Sequence, residues 1–433
     1  MPFEWQCRQL GSILRGRGVH HCLLLATSAH AAGATRIAAA ASLTKASIGF
    51  EERRMGDSEW ASVATVDALV REAREMGAQA VVAVGADGVI DAAKAVAVLT
   101  RVGHESAEQF LLDRNTLGDA APPASRLPTV AVLTRPTLTG CSGRCLLRHH
   151  SQLVPLRVQG DSGHFDIGPG LPATVEIVDP KHALGLPEGS GRTVEQETLT
   201  VGSAALASIV DMRLATAHTI KAQMLAESSA AGVSAVRAVL DNPAQTQIDA
   251  LLASRAAGMA QTDVDATAYG HVPILHAMAC AATGAVPPSE QEDDGAVPYS
   301  SLSAALLPAV LRAAGRSGAE AEQEALSQLA EAILDGSGGE HAEGKRGYER
   351  SAVGLAAYLD DRSAALELPR LRTLLHDGAT AGELEGEGLG GPFAAELVAA
   401  AVWTSALVRQ EARGLPQWCA SIDDVTAIVA DAL

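Results

Sequence analysis

Read for apolar runs and their period, the chain has two textures. In the first, short apolar runs alternate with amphipathic stretches. Val19 to Ala26 (VHHCLLLA) predicts a first buried strand, and Ala31 to Leu43 is Ala-rich and helix-like. Ile48 to Arg53 reads as a second strand. Thr65 to Met76 follows with helical periodicity. Gln79 to Val84 (QAVVAV) predicts a third strand running straight into Gly85-Ala86-Asp87-Gly88 and a helix from Val89 to Leu99. Thr129 to Leu133 (TVAVL) is a fourth strand, and Val175 to Val178 (VEIV) a last one, closed by Asp179-Pro180. His104 to Ser125 reads as a surface excursion with a short helix, and His149 to Leu171 as a β-hairpin. Strands alternating with helices imply a parallel sheet covered on both faces.

The second texture begins after Gly189-Ser190-Gly191. From Thr193 to Leu433 the pattern is nearly continuous amphipathic helix. Two loops interrupt it, an acidic one from Pro287 to Pro298 and a Gly-rich one from Gly336 to Gly347. The boundary falls near Pro187 to Gly191. It gives an α/β nucleotide-binding-like domain over 1–188 and an all-helical domain over 189–433, with an active site expected in the cleft between them.

Composition narrows the class. Apolar residues make up 47% of the 433, enough for large cores, while aromatics are only 3%. The cores are therefore built from Ala, Leu and Val, which favours close-packed helices. A formal charge of -18 argues against nucleic acid, whose binding needs a basic footprint, and against docking on anionic lipid. No apolar run reaches the ~20 residues of a membrane span. The N-terminus lacks the apolar stretch and cleavage site of a signal peptide, so a soluble cytoplasmic chain is expected. The six cysteines (Cys7, Cys22, Cys141, Cys145, Cys280, Cys419) are scattered like reduced thiols, and Cys141 and Cys145 are wrongly spaced for a CxxC motif.

Three constellations carry candidate chemistry. At the third strand's end, Gly85-Ala86-Asp87-Gly88 leads into a helix bearing Asp91 and Lys94. Such a turn offers free N–H groups and a positive dipole end to a phosphate, although an ordinary strand–helix turn has the same look. After the fourth strand, Val130 to Gly143 (VAVLTRPTLTGCSG) offers the hydroxyls of Thr134 and Thr139 and the charge of Arg135 to a ribose or phosphate. In Tyr269 to Ala285, His276 and Cys280 are four apart and share a helix face. Two ligands do not make a metal site, and a buried His and Cys equally read as packing residues. The string Gly160-Asp161-Ser162-Gly163 is coincidental, because the chain lacks the β-barrel pattern that a serine-protease reading needs.

Together these segments resemble the iron-containing alcohol dehydrogenase superfamily, with the maleylacetate reductases as a close branch. Met76 to Gly85 followed by Val89 to Lys94 looks like the family's strand, GGGS turn and DxxK helix. Val130 to Ser142 is similar to its PTTxGTGSE segment. Val178-Asp179-Pro180 with Leu186-Pro187 resembles its domain junction. His276, five residues after His271, sits where the family has its HxxxH helix, and Val297-Pro298-Tyr299 with Ala304 to Leu311 resembles its PHG…LPxVL segment. The resemblance implies a dehydroquinate synthase-like/iron-containing alcohol dehydrogenase fold, a nicotinamide cofactor, a small-molecule substrate and a homodimer joined through the N-terminal sheet.

The resemblance also exposes departures. The family's four metal ligands fall on Ala204, Ser208, His276 and Tyr299, with Asp211 where a family Glu lies and Cys280 where a second His of the helix motif stands. Three ligands are therefore replaced, and no metal is expected. The GGGS turn reads Gly-Ala-Asp-Gly. A positive φ at Ala86 costs ~1–2 kcal/mol. A pyrophosphate ~4 Å from Asp87 adds ~1–4 kcal/mol of repulsion per unit charge. Arg135 stands where the family has Thr and supplies compensating charge. The expected function is a metal-independent, NAD(P)H-dependent reductase of a small carbonyl or enol compound. His276, His271 or Tyr299 would be the acid, and Lys94 and Arg135 would hold cofactor phosphate or a substrate carboxylate. The alternative is a lyase, cyclase or isomerase of a biosynthetic pathway that uses His276, Cys280 and Tyr299 in the same cleft without cofactor. A non-catalytic partner is a third class, with no feature in its favour.

Overall fold

The computed structural model describes residues 5–27, 33–55, 60–85, 87–102, 106–111, 126–134, 145–149, 152–156, 158–159, 165–166, 173–178, 193–219, 223, 226–227, 229–246, 249–250, 252–254, 256–257, 274–285, 299–335, 347–371, 373–374 and 416–433. These divide between two compact units, 5–178 and 193–433. The boundary expected at 188/189 lies outside the described residues.

The first unit is a five-stranded parallel sheet in the order β2-β1-β3-β4-β9, built from β1 (His21–Thr27), β2 (Gly49–Met55), β3 (Ala80–Gly85), β4 (Thr129–Leu133) and β9 (Val175–Val178). β1, β3 and β4 are central, and all but one or two of their residues are buried. That explains why they read as apolar runs and not as alternations. β2 is an edge strand, and its charged residues are held in ion pairs such as Arg36–Glu52 and Arg53–Glu72.

Side-chain alternation splits the sheet between two helical layers. Cys22, Leu24 and Ala26 of β1, Ala80, Val82 and Val84 of β3, Val130 and Val132 of β4 and Ile177 of β9 pack with α1 (Trp5–Gly16) and α2 (Gly33–Lys45). α4 (Asp87–Val102) packs on β3, and α3 (Val63–Glu75) packs on α4. Two small antiparallel pairs complete the unit. One is β5 (Leu146–His149) with β6 (Gln152–Pro155), the other β7 (Val158–Gln159) with β8 (Phe165–Asp166).

The sequence reading left α1 out. Its buried Cys7, Leu10 and Leu14 follow helical spacing, but Gly11 interrupts them. The structure gives the glycine a reason. A Cβ at Gly11 would lie 2.2 Å from the Ser42 carbonyl oxygen, so α1 and α2 approach closely there. The Gly11 N–H also donates to Ser42 Oγ at 3.0 Å. The hairpin starts earlier than expected, at Leu146, because Leu146 and Leu147 are buried strand residues and not loop.

The second unit is helical where described. Its helices are α5 (Val194–Thr216), α6 (Ala230–Asp241), α7 (Ile274–Ala285), α8 (Tyr299–Ser317), α9 (Glu320–Leu334), α10 (Ala352–Ala365) and α11 (Ile422–Ala432). α5 is buried on every side from Thr198 to Thr216 and touches α6, α7, α8 and α9. An all-round apolar helix of this kind is the centre of a core. By length and composition α5 alone among the described helices is long and apolar enough to cross a membrane, and its apolar stretch is buried inside the protein. A capping box starts it. Thr193 Oγ1 accepts from Gln196 N–H at 3.2 Å, and Gln196 Oε1 accepts from Thr193 N–H at 2.8 Å.

Candidate active site

The strand order places the first candidate. Connections run outward from β1 to β2 on one side, and from β3 through β4 to β9 on the other. The order therefore reverses between β1 and β3. Open parallel sheets bind ligands beyond the carboxyl ends of the strands that flank such a reversal. Gly85 is the last residue of β3, so the turn after it stands at that position.

The turn is shorter than the sequence suggested. Asp87 and Gly88 are already helical, the first residues of α4. Asp87 thus lies in the first helical turn, where the dipole favours a negative side chain. Gly85 does not adopt a positive φ; its requirement is closeness. An added Cβ would sit 3.1 Å from Val89 Cβ, so glycine here lets α4 start tight against its own strand. Ala86 lies outside the described residues. Beside the turn, Thr134 closes β4 and donates its N–H to the Gly85 carbonyl at 3.1 Å. Arg135 and Thr139 lie outside the described residues.

Asp91 and Lys94 are one and two turns into α4, and both are buried. Their side chains are 2% and 0% exposed, with Lys94 Nζ 3.5 Å from Asp91 Oδ1. Asp91 Oδ2 accepts from the Leu146 N–H at 2.8 Å. Cys145 donates its thiol to the Asp91 main-chain carbonyl at 3.1 Å. Burial raises the Asp91 carboxyl from 3.8 to about 7, with Asp87 adding to the rise and Lys94 and the Leu146 N–H opposing it. Burial likewise holds the Cys145 thiol well above its ordinary value. The sequence reading treated Cys145 as one of several scattered thiols. The only available hint was its place at the end of the Thr- and Gly-rich segment.

In the second unit, Ala204 and Ser208 are buried one turn apart on α5. They present a methyl and a hydroxyl where the resemblance has Asp and His. Neither is a ligand for iron or zinc comparable to carboxylate or imidazole, so the residues present there do not fit a metal held in the family's manner. Asp211, one turn further along, is buried, and its Oδ1 accepts from the Leu275 N–H at 2.8 Å. This carboxylate from α5 caps the first turn of α7, the helix that carries His276 and Cys280. Cys280 is buried. His276 is the third residue of α7 and Tyr299 the first of α8, but their side chains and His271 lie outside the described residues. The sequence reading noted Asp211 only as a replacement. Its capping of α7 spans 64 residues, and no local pattern signals that.

The fold defines an architecture, an α/β unit with the parallel sheet of dinucleotide-binding type and a second, helical unit. The model of one family, iron-containing alcohol dehydrogenase, matches residues 3–145. An archaeal halo-thermophilic alcohol dehydrogenase from a Red Sea brine pool shares the fold with a TM-score of 0.72 at 16% identity, over 99% of this chain and 95% of that one. NADH-dependent butanol dehydrogenase A from Thermotoga maritima does so with a TM-score of 0.69 at 16% identity, over 99% and 94%. Sulfoacetaldehyde reductase from Bifidobacterium kashiwanohense, solved in complex with NAD+, does so with a TM-score of 0.61 at 16% identity, over 99% and 94%. No curated protein matches the chain in sequence. The N-terminal third of the chain thus matches the model of that family, and the whole described chain shares the fold of these dehydrogenases. These matches do not distinguish the maleylacetate reductase branch.

Proposed function

We propose that the protein is a metal-independent, NAD(P)H-dependent reductase of a small carbonyl or enol compound. The observation that carries this reading is the Gly85 turn at the reversal of strand order, followed by a helix N-terminus and flanked by Thr134. The residues present there fit a dinucleotide. Backbone N–H groups of 85–88 would face its phosphates, and Thr134, Arg135 and Thr139 its ribose or phosphate oxygens. Bound there, the nicotinamide supplies the hydride. The protein's part is to orient the carbonyl and deliver a proton.

His276 is the proposed proton donor, with His271 and Tyr299 as further acids and Cys280 in the same cluster. The cluster belongs to the helical domain proposed over 189–433. Asp211 supports the reading by fixing the backbone of α7 next to His276. Metal independence rests on the methyl of Ala204 and the hydroxyl of Ser208. The reading takes the chain as a cytoplasmic homodimer acting on a small molecule.

A second reading keeps His276, Cys280 and Tyr299 without redox chemistry, as a lyase, cyclase or isomerase of a biosynthetic pathway. Asp87 favours it, because its carboxylate occupies the helix turn that a pyrophosphate would use. Titration of purified protein with NADH and NADPH, alongside iron and zinc analysis, decides between the readings. The reductase reading expects saturable cofactor binding, sub-stoichiometric metal, and carbonyl reduction that chelators leave unchanged. Absence of binding up to millimolar cofactor removes it. Stoichiometric metal whose removal abolishes turnover removes the metal-independent part.

A further inference from the structure

α5, α6 and α9 pack on one another in pairs, and each of the first two sends an arginine to the third. Arg213 Nη1 of α5 donates to the Ala325 carbonyl at 3.4 Å, and Arg237 Nη1 of α6 to the Ala332 carbonyl at 3.5 Å. Both bonds are long. The Ala325 carbonyl lies inside α9, where the helix's own ladder already uses it. Ala325 and Ala332 are seven positions apart, so the two carbonyls stand on one face of α9, about 10 Å from each other.

These arginines lack what others in the chain have. Arg36, Arg53, Arg54, Arg312 and Arg350 are paired with carboxylates, although all are more exposed than Arg213. Arg213 is the only buried arginine among the described residues, at 8% exposure, and it forms no ion pair. Its Nε is withdrawn from water and has no hydrogen-bond partner. Burial lowers its guanidinium below the ordinary value, and no charged neighbour contributes. The carboxylate of Glu322, one turn before Ala325, is turned elsewhere. Its Oε2 accepts from the Ala319 N–H at 2.8 Å, and its Oε1 lies 3.7 Å from His218 Nε2. A buried cation without a counter-charge is costly, and an apolar side chain of similar volume would serve packing better.

We propose that Arg213 anchors an anion site in the helical unit, taking a small oxyanion, carboxylate or phosphate, with Arg237 drawing it in from nearer the surface. A guanidinium presents a planar fork of N–H donors that meets either anion through two parallel bonds. Nε is one prong of that fork, and it is the donor Arg213 has to spare. Asp211, two positions earlier, faces α7, so Arg213 stands on the opposite side of α5 from that helix. The site is therefore separate from the groups proposed for catalysis and does not rest on the reductase reading.

The test is the melting temperature of the full chain in chloride, and with phosphate or succinate at matched ionic strength. At about ten times its dissociation constant, the bound anion is expected to raise the wild-type melting temperature by roughly 3–5 °C. Arg213→Met is expected to lose that rise. Arg213→Lys keeps the charge without the fork and is expected to retain only part of it, which carries the test if Arg213→Met does not fold. General stabilisation by phosphate acts on wild type and variant alike and cancels in the comparison. Phosphate held at the 85–88 turn would also survive the substitution and cancel, so failure of the proposed function leaves this result readable. A larger rise with phosphate makes the ligand a phosphoryl compound, and a larger rise with succinate makes it a carboxylic acid. Equal rises in wild type and Arg213→Met overturn the proposal, as do equal rises in wild type and Arg213→Lys should the former not fold. No rise with either anion in the wild-type chain overturns it too.

Discussion

At the residue scale, single carboxylates have three different tasks here, and burial with partners distinguishes them. Asp211 is buried and caps a helix from a distance. Asp91 is buried and joins a helix to a strand. Asp87 sits in the first turn of α4, where the dipole favours its charge and where a bound phosphate would compete with it. If that turn meets a dinucleotide phosphate, Asp87→Asn strengthens NADH binding. A unit charge at ~4 Å in water contributes about 1 kcal/mol, so the dissociation constant is expected to fall about five-fold or more. Fluorescence titration measures it, and unchanged affinity would mean that Asp87 faces away from the ligand.

At the scale of elements, strength is concentrated at helix starts and close crossings. α5, the centre of the helical unit, begins with the reciprocal Thr193–Gln196 hydrogen bonds, and Gln196 Nε2 also donates to the Leu366 carbonyl at 2.9 Å. Thr193→Ala removes one arm of this box. It should lower stability by ~1 kcal/mol, a melting shift of roughly 2–4 °C for a unit of this size. Calorimetry of the full chain checks it, and a shift absent within error would show that α5 is held by its packing alone. β3 and α4 form the other tight element. Gly85→Ala places a Cβ 3.1 Å from Val89 Cβ, and α4 must move by a few tenths of an ångström to relieve it. Loss of cofactor affinity with the fold intact is the expected result, read by NADH titration beside circular dichroism. Undiminished affinity would show that the start of α4 has room to give.

At the scale of the whole molecule, stability is linked to pH through Asp91. Its carboxyl holds a proton to about 7 in the folded chain, against 3.8 for an ordinary aspartate. The folded state therefore binds more protons than the unfolded state between those values. Stability contributed by this proton is fully present below 3.8 and is lost as pH rises through about 7. Lys94, Asp87 and the Leu146 N–H set the local field, and none of them removes the sign, because burial is the largest cause. Asp91→Asn does not titrate. The melting temperature of the wild-type chain, compared with that variant at pH 5 and pH 8, is expected to fall relative to it as pH rises. A difference that stays constant across the two pH values would contradict the shift.

Much of the fold was legible because its signals are local. β4 and β9 fall where the apolar runs place them, and β1 and β3 shift by two residues or fewer at either end, because strands buried on both faces must be apolar throughout. α1 escaped because the reason for Gly11 is a neighbouring helix, 31 residues away along the chain. The turn at Gly85 was legible as a strand meeting a helix, but its location at the reversal of strand order required knowing that β1 lies between β2 and β3.

The sequence by itself determined the alternation of strand and helix, the helical pattern of the second half, and a resemblance to one superfamily with departures from its pattern at Ala204 and Ser208. Those properties reside in residue types and their periods, which neighbours along the chain express without help. Only the tertiary structure decided that Asp91 and Lys94 face each other in the dark of the core, that Asp91 reaches Leu146, and that Asp211 caps α7. Such partners are 55 and 64 residues apart, and a carboxylate's role is set by what folding brings within hydrogen-bond distance once water has been excluded.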